Sequence, residues 1–357
     1  MKLINYLVLK CCNQIKIERT IYSIYHLFTG RRSIQTLQDA HLYELTHFYG
    51  VYKKLPIDEF DTIIAELIAK NLIQQVDSDD SRYLITSQGK KILVDFDMPI
   101  KINGLLYEQY SNDFYQRLLL FIQVWTNSKQ KNGNYIPVIE NYKVERFIKT
   151  LYINRKERIE SDLKNLYGEL SNIFKEIPSQ QVDFYVDRLS GYHYYGLSVP
   201  QLTEKYETDK HTIHLSIVSI NHLIIENVIN NPKSYKLLSL LLETLLTEKR
   251  LTRSTHKTYD LFKKGYNLTE IANIRQLKLN TIYDHIVEVS LYDQSFPINK
   301  FVPLFAQEEI IDIVRKHKTF KLKEIKDNIS AEINYFQIRL VLSMMSNAEV
   351  GGQSEFK

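Results

Sequence analysis

The stretch GYNLTEIANIRQLKLNTIYDHIVEV (Gly265–Val289) decides the fold, because the chain writes its pattern twice. GLSVPQLTEKYETDKHTIHLSIVSI (Gly196–Ile220) carries the same positions 69 residues earlier, with no gap. Gly196, Ser198, Gln201, Leu202, Thr212, Ile213 and Ile217 recur as Gly265, Asn267, Glu270, Ile271, Thr281, Ile282 and Ile286. In each copy a glycine closes one segment and a polar N-cap follows two residues later. The residue three positions beyond the cap completes a capping box, Ser198 with Gln201 and Asn267 with Glu270. A short helix then leads into a second one with apolar residues at helical spacing. These are Ile213, Ile217 and Ile220 in the first copy, and Ile282, Ile286 and Val289 in the second. A short helix followed at once by an amphipathic one is the shape that enters a DNA major groove. Small all-α domains also use such corners, and it is the two copies in register that favour helix-turn-helix modules.

Working outward, the 357 residues suggest two or three domains, and 44% hydrophobic with 25% charged residues is ordinary globular composition. The net charge of +4 is mild, so any basic surface must be local. The 25 tyrosines follow the Ile, Lys and Asn bias of an AT-rich coding sequence and are not read as base-stacking platforms. The two cysteines, Cys11 and Cys12, are adjacent and have nothing else to pair with, which fits a reducing cytosol. His211 and His214 share a helix face, but without further ligands they read as surface groups. No apolar stretch approaches the roughly 20 residues of a membrane span. The opening MKLINYLVLKCC reads as a buried first helix or strand rather than a signal peptide. The expected location is the cytoplasm, at the nucleoid when DNA is bound.

Residues 16–48 are helical in pattern, with a break at Gly30. Pro56 opens a helix with Asp58 and Glu59 in its first turn and the apolar stripe Phe60, Ile63, Ile64, Leu67 and Ile68. A hairpin follows (Leu72–Val76, then Tyr83–Thr86), and the helix Gln88–Phe96 closes a winged-helix order. The acidic tip DSDDS lacks the glycine and terminal Glu of a calcium loop and reads as a solvated turn. Residues 105–177 are long helices, and Asn141–Lys175 reads as an exposed or bridging rod. The expected fold is mainly α, with domains at 1–100 (winged-helix-like), 101–180 (helical connector), 181–233 (first helix-turn-helix) and 234–346 (second). Residues 347–357 read as a disordered tail.

No nucleotide-binding P-loop, GxSxG or HExxH occurs, so the chain is expected not to be an enzyme and to need no cofactor or metal. Basic groups cluster instead. Lys249, Arg250, Arg253, His256 and Lys257 lead into the second repeat, and Lys263, Lys264, Arg275 and Lys278 lie within it. Arg315, Lys316, His317, Lys318, Lys321, Lys323 and Lys326 form another group. Such runs contact phosphates or form solvated helix faces. The candidate DNA contacts are Arg31, Arg32, Lys249, Arg250, Arg253, Lys257, Arg275, Lys278, Asn280, Thr281, Lys321 and Lys323. Helical spacing puts Thr281, Asp284, Val287 and Glu288 on the outer face of the last helix, where two acids would repel phosphate. The first repeat offers Lys210, His211, His214 and Ser216, a friendlier face. Asp58, Glu59, Asp61 and Glu66 make the winged-helix face acidic, which suits a protein partner or a purely supporting role.

Arg250–Val289 resembles the helicase-associated helix-turn-helix domain at the C-terminus of some RecQ-type DNA helicases. The shared elements are Ser254, Thr255 and Thr258, Gly265, Ile271–Ala272, Arg275, Leu277, and Thr281–Ile282 through His285. LKEIK (Leu322–Lys326) and INYFQIRLVL (Ile333–Leu342) look like that domain's tail, so the likeness covers about 237–345. With GRRSIQTLQDAHLY (Gly30–Tyr43), the whole chain resembles the YpbB-type family of stand-alone proteins encoded beside a RecQ-like helicase. Both motor lobes of a helicase are absent from this sequence. The resemblance implies a non-catalytic accessory subunit that handles DNA for a RecQ-like helicase in repair or recombination. A tandem helix-turn-helix transcription regulator is the alternative.

Overall fold

The computed structural model describes residues 1–77, 80–246, 251–293 and 295–345. The tip of the acidic hairpin turn (78–79), Lys249, Arg250 and the tail 347–357 lie outside the described residues. The fold is mainly α, with a two-stranded antiparallel sheet pairing Ile73–Asp77 and Asp80–Ile85. The opening segment is the helix Leu3–Ile15, in which both cysteines are buried. The chain divides into two compact units.

The first unit comprises Met1–Leu7, Gly50–Lys54 and Leu93–Glu248, so it holds the first copy of the repeat together with the central helices. Its core includes Trp125, fully buried and stacked on Phe121 at 3.9 Å. The expected rod is two helices, Tyr142–Arg155 and Ile159–Phe174, parted by a 3-10 turn at Lys156–Arg158. The break is fixed by Asp162, which is buried and receives the Arg155 guanidinium through two nitrogens at 2.9 and 2.6 Å. Trp125 Nε1 donates to the same carboxylate at 3.2 Å. Both helices pack on Ser111–Lys129, so the run folds back instead of bridging through solvent.

The helix Lys210–Asn230 runs through this core. At 21 residues it is long and apolar enough to cross a membrane, which corrects the expectation that no stretch approaches that length. Its polar groups are placed for a protein interior. Ser219 Oγ bonds the backbone of Lys101, His222 Nδ1 accepts from Asn103 N–H at 3.1 Å, and Asn221 accepts from the Tyr185 hydroxyl at 2.8 Å. Buried polar atoms satisfied in this way are the mark of a core helix.

The second unit comprises Val8–Tyr49, Leu55–Ile92 and Lys249–Lys357. Its helix Ile57–Ala69 buries Phe60, Ile63, Ile64 and Leu67 as the stripe predicts, while Ile68 turns out to solvent. The hairpin registers Ile73 against Ile85 and Gln75 against Tyr83, with an irregularity before Asp77. Helix Ile34–Leu42 packs against helices Leu279–Tyr292 and Tyr335–Ser343.

Both predicted capping boxes form. Ser198 and Gln201 cap Val199–Lys205, and Asn267 and Glu270 cap Leu268–Arg275. The equivalent glycines, however, do different work. At Gly265 φ is +94°, with open space where a Cβ would stand. At Gly196 a Cβ would lie 2.2 Å from the Arg188 carbonyl oxygen. Gly196→Ala therefore forces the backbone apart and should cost about 2–3 kcal/mol. Gly265→Ala meets only backbone strain, about 1–2 kcal/mol. Chemical denaturation of the two variants should rank them in that order.

Candidate nucleic-acid interface

The second copy is built as three helices, Arg253–Lys263, Leu268–Arg275 and Leu279–Tyr292. Thr252 caps the first, its hydroxyl oxygen accepting from Thr255 N–H at 3.1 Å. Gln276, in the left-handed region at φ 53°, ends the second and turns the chain into the third. Arg275 ties all three together. Its Nη1 donates to Ser254 O at 2.6 Å and to Thr258 Oγ1 at 2.5 Å, and its Nη2 donates to Ser254 Oγ at 3.0 Å. Thr258 is fully buried and lies 2.8 Å from His285 Nδ1. Arg275 Nη1 also lies 3.5 Å from Nδ1 and an arginine only donates, so Nδ1 is the acceptor nitrogen, the Thr258 hydroxyl donates to it, and the imidazole proton sits on Nε2. Burial, reinforced by the charge of Arg275, pushes His285 down to about 4. Ser254, Thr258, Arg275 and His285 are all among the residues on which the sequence resemblance rests. The structure uses them to hold the helices in place.

Only part of the outer face assigned by helical spacing is open in the structure: Thr281 and Asp284 are partly exposed. Val287 and Glu288 are buried. The Glu288 carboxylate accepts from Thr252 N–H at 2.9 Å and from the Thr255 hydroxyl at 2.5 Å, so it serves the N-terminus of Arg253–Lys263, where negative charge is favoured. Asp284 receives Arg339 Nη1 at 2.6 Å. From His285 to Leu291 every residue is buried, because Arg253–Lys263, Ile34–Leu42 and Tyr335–Ser343 all pack on this helix. Its start is the part most open to solvent, with Tyr283 and Asp284 partly exposed behind it. Lys278 and Asn280 are exposed, and Thr281 is half-buried. The N-terminal residues of a recognition helix are the ones that reach base edges in a helix-turn-helix. The acid repulsion expected there is therefore absent for Glu288 and offset for Asp284 by its arginine.

The first copy differs. His211 and Ser216 are buried, and His214 is covered as well. The His214 ring stacks on Tyr52 at 3.9 Å and its Nε2 lies 3.1 Å from Val51 O, while His211 Nδ1 is 3.1 Å from the Tyr52 hydroxyl. These histidines are packed groups of the first unit and not surface groups. The face that would enter a groove is covered, and Lys210 is its exposed remnant.

The remaining predicted contacts fall as follows. Arg253 and Lys257 are exposed one turn apart on Arg253–Lys263. Arg31 and Arg32 are exposed in the turn that Ser33 closes by capping Ile34–Leu42. Lys323 is exposed, and Lys321 is half-buried at the start of Leu322–Asp327. All of these belong to the second unit. Lys326 is engaged internally, donating to Ala331 O at 2.9 Å and to Ile333 O at 2.6 Å. A third capping box, Asn334 with Gln337, starts Tyr335–Ser343, and the same local rule would have found it in the sequence. The Tyr283–Phe336 stack, at 4.1 Å, carries no such signal. Among the described residues no group of acidic, His and Cys side chains is placed to hold a metal.

Residues 254–342 match the family model of a helix-turn-helix domain. Over 341 residues the chain is 30% identical to Protein YpbB of Bacillus subtilis (strain 168), covering 94% of this chain and 96% of that protein. No solved structure matches it. The helix-turn-helix match supports DNA binding, and the extent of the second likeness places the chain in its family: this protein belongs to the YpbB family and carries a helix-turn-helix domain in its C-terminal part.

Proposed function

We propose that the chain is a non-catalytic DNA-binding subunit that serves a RecQ-like helicase in repair or recombination. The observation that carries the DNA-binding part is the exposed start of Leu279–Tyr292, with Lys278 and Asn280 outward and the stretch His285–Leu291 buried. Arg253 and Lys257, on the helix packed beside it, add exposed positive charge. Lysine and arginine contacts of this kind bind phosphates with little regard to sequence, and affinity falls steeply with salt. The helicase partnership rests on the likeness of Arg250–Val289 to the helicase-associated domain.

The test is a titration of fluorescent fork, single-stranded and duplex DNA at several salt concentrations, with and without the RecQ-like helicase. The expected result is binding with a steep salt slope and a measurable change in the helicase's affinity or unwinding. Lys278→Gln should lower the slope by about one and weaken all sequences alike. Failure to associate with the helicase, or to alter its behaviour, would remove the accessory-subunit reading while leaving DNA binding in place. The regulator reading predicts instead a preferred duplex site and a symmetric dimer. The covered face of the first copy weighs against a tandem reader.

A further inference from the structure

Composition accounts for the number of tyrosines in the chain, 25, but not for where three of them stand. Tyr192, Tyr194 and Tyr195 sit with His193 in the turn between helices Ser179–Val186 and Val199–Lys205 of the first unit. Tyr195 is 84% exposed, Tyr194 48% and Tyr192 37%, and His193 is exposed as well. Rings placed this way bury little apolar surface in the fold, and a contiguous exposed group of them marks a contact surface.

The turn is nonetheless tied down. Gly191 N–H donates to Tyr194 O at 2.8 Å, and Tyr194 N–H donates back to Gly191 O at 3.2 Å. Tyr192 N–H donates to Thr126 Oγ1 at 3.1 Å and Gly196 N–H to Ser190 Oγ at 3.0 Å. The Asp187 carboxylate accepts from the Tyr194 hydroxyl at 3.1 Å and the Tyr206 hydroxyl at 2.8 Å, and pairs with Lys205. His193 closes the turn at φ 57°, a conformation that residues with a Cβ rarely adopt. A surface ordered in advance loses little entropy when a ligand docks on it.

Beside the turn lies a cleft of about 520 Å³, lined by Tyr192 and Tyr194 together with Ile122, Leu163, Val186 and Leu189. Among the described residues that line it, Lys129 is charged and none is acidic. Lys129 pairs with Glu160 at 3.3 Å, but both are exposed, and a surface pair of this kind is weak enough to exchange for a phosphate. Aromatic faces beside a lysine, with no carboxylate in the lining, suit an anionic ligand with flat apolar parts. Unpaired bases on a phosphate backbone are such a ligand. A duplex keeps its bases stacked on one another and offers these rings no face.

We propose that the Tyr192–Tyr195 turn and its cleft bind single-stranded DNA, the exposed tyrosine rings stacking on unpaired bases and Lys129 meeting a phosphate. The site lies in the first unit and shares no residue with the surface around Lys278, so it stands or falls apart from the helix-turn-helix reading.

The test uses the full chain and two fluorescent probes of equal length: an oligothymidylate, and an abasic strand that keeps the phosphates and lacks the bases. The wild type should bind the oligothymidylate at least about tenfold more tightly. Tyr192→Ala and Tyr195→Ala should each weaken that binding about tenfold and leave the abasic strand unaffected. Tyr192→Phe and Tyr195→Phe keep the ring and should stay within about twofold of the wild type. Tyr195 is exposed, so its variants should fold normally. Lys129→Gln should lower the salt slope for the strand by about 0.7. The same losses should appear in the Lys278→Gln chain, and a protein that shows them without binding duplex upholds this site while the duplex reading fails. Equal affinity of the wild type for both probes, or alanine variants that match the wild type, overturns the proposal. Alanine variants that weaken association with the helicase at unchanged strand affinity overturn it too, since the turn is then a protein-docking surface.

Discussion

Replacing Arg275 with alanine should destabilise the second unit by about 3 kcal/mol and leave the salt dependence of DNA binding unchanged. The guanidinium is the shared donor for Ser254 O, Ser254 Oγ and Thr258 Oγ1. Its loss strands acceptors next to a threonine that is fully buried, and each charge-assisted bond of this kind is worth roughly 1.5–3 kcal/mol. Water can reach the half-exposed side of Arg275, so the total stays below the sum of three such bonds. With native domains stable by only about 5–15 kcal/mol, a loss of this size is visible in any denaturant melt. Arg275→Lys should recover part of it, because an ammonium keeps the charge but lacks the planar fork that reaches Ser254 and Thr258 together. The competing role, a phosphate contact, predicts the reverse pattern. The melt would stay in place and the salt slope would drop by about one, as expected for Lys278→Gln. Measuring stability and salt slope on the same variant decides between them.

That one residue served as a DNA-contact candidate in the sequence and as an internal tie in the structure shows where sequence reading stops. The capping boxes were legible because their reach is three residues and their chemistry is local, Ser198 with Gln201 and Asn267 with Glu270. The apolar stripes were legible because helical period is a property of neighbours along the chain. Periodicity puts both Asp284 and Glu288 outside, on the assumption that a helix has one buried face; the Asp284 side chain is 44% exposed, but Glu288 is buried. Leu279–Tyr292 is packed on several sides, and its acids are answered by Arg339 and Thr252, far away in the chain. His211 and His214 were misread for the same reason, since Tyr52 covers them and no local pattern announces it. The same limit applies to the motif on which the sequence resemblance rests. Its Ser254, Thr258, Arg275 and His285 form one hydrogen-bonded chain, so the motif marks a way of packing three helices. The exposed Lys278 and Asn280 lie beside that motif, where packing places few demands.

Acid should unfold the protein well above the range in which carboxylates titrate, and buried histidines are the reason. His222 is pushed down to about 3 and His214 to about 4 in the first unit, and His285 to about 4 in the second, each chiefly by burial. His41, in the second unit, is also held below its ordinary value by burial. The bonding of two of these rings agrees with a neutral state. His222 Nδ1 accepts from Asn103 N–H, and His285 Nδ1 accepts from the Thr258 hydroxyl, so a proton added at either atom would displace a bond already made. In the unfolded chain each titrates near 6.5. A folded value below the unfolded one means that the unfolded state takes up protons first as pH falls. The stabilising contribution is therefore whole above about pH 6.5 and shrinks as pH drops from there toward the folded values of 4 and 3. Each histidine contributes a slope of about 1.4 kcal/mol per pH unit inside that window. For the first unit, His214 and His222 together remove about 5 kcal/mol between pH 6.5 and 4.5. Denaturant melts at half-unit steps from pH 7.5 to 4.5 should show this slope. His222→Asn should reduce it by one proton's worth, whatever its own cost in stability. A profile flat down to pH 5 would mean that these rings are protonated in the native state and that the core around Lys210–Asn230 admits charge.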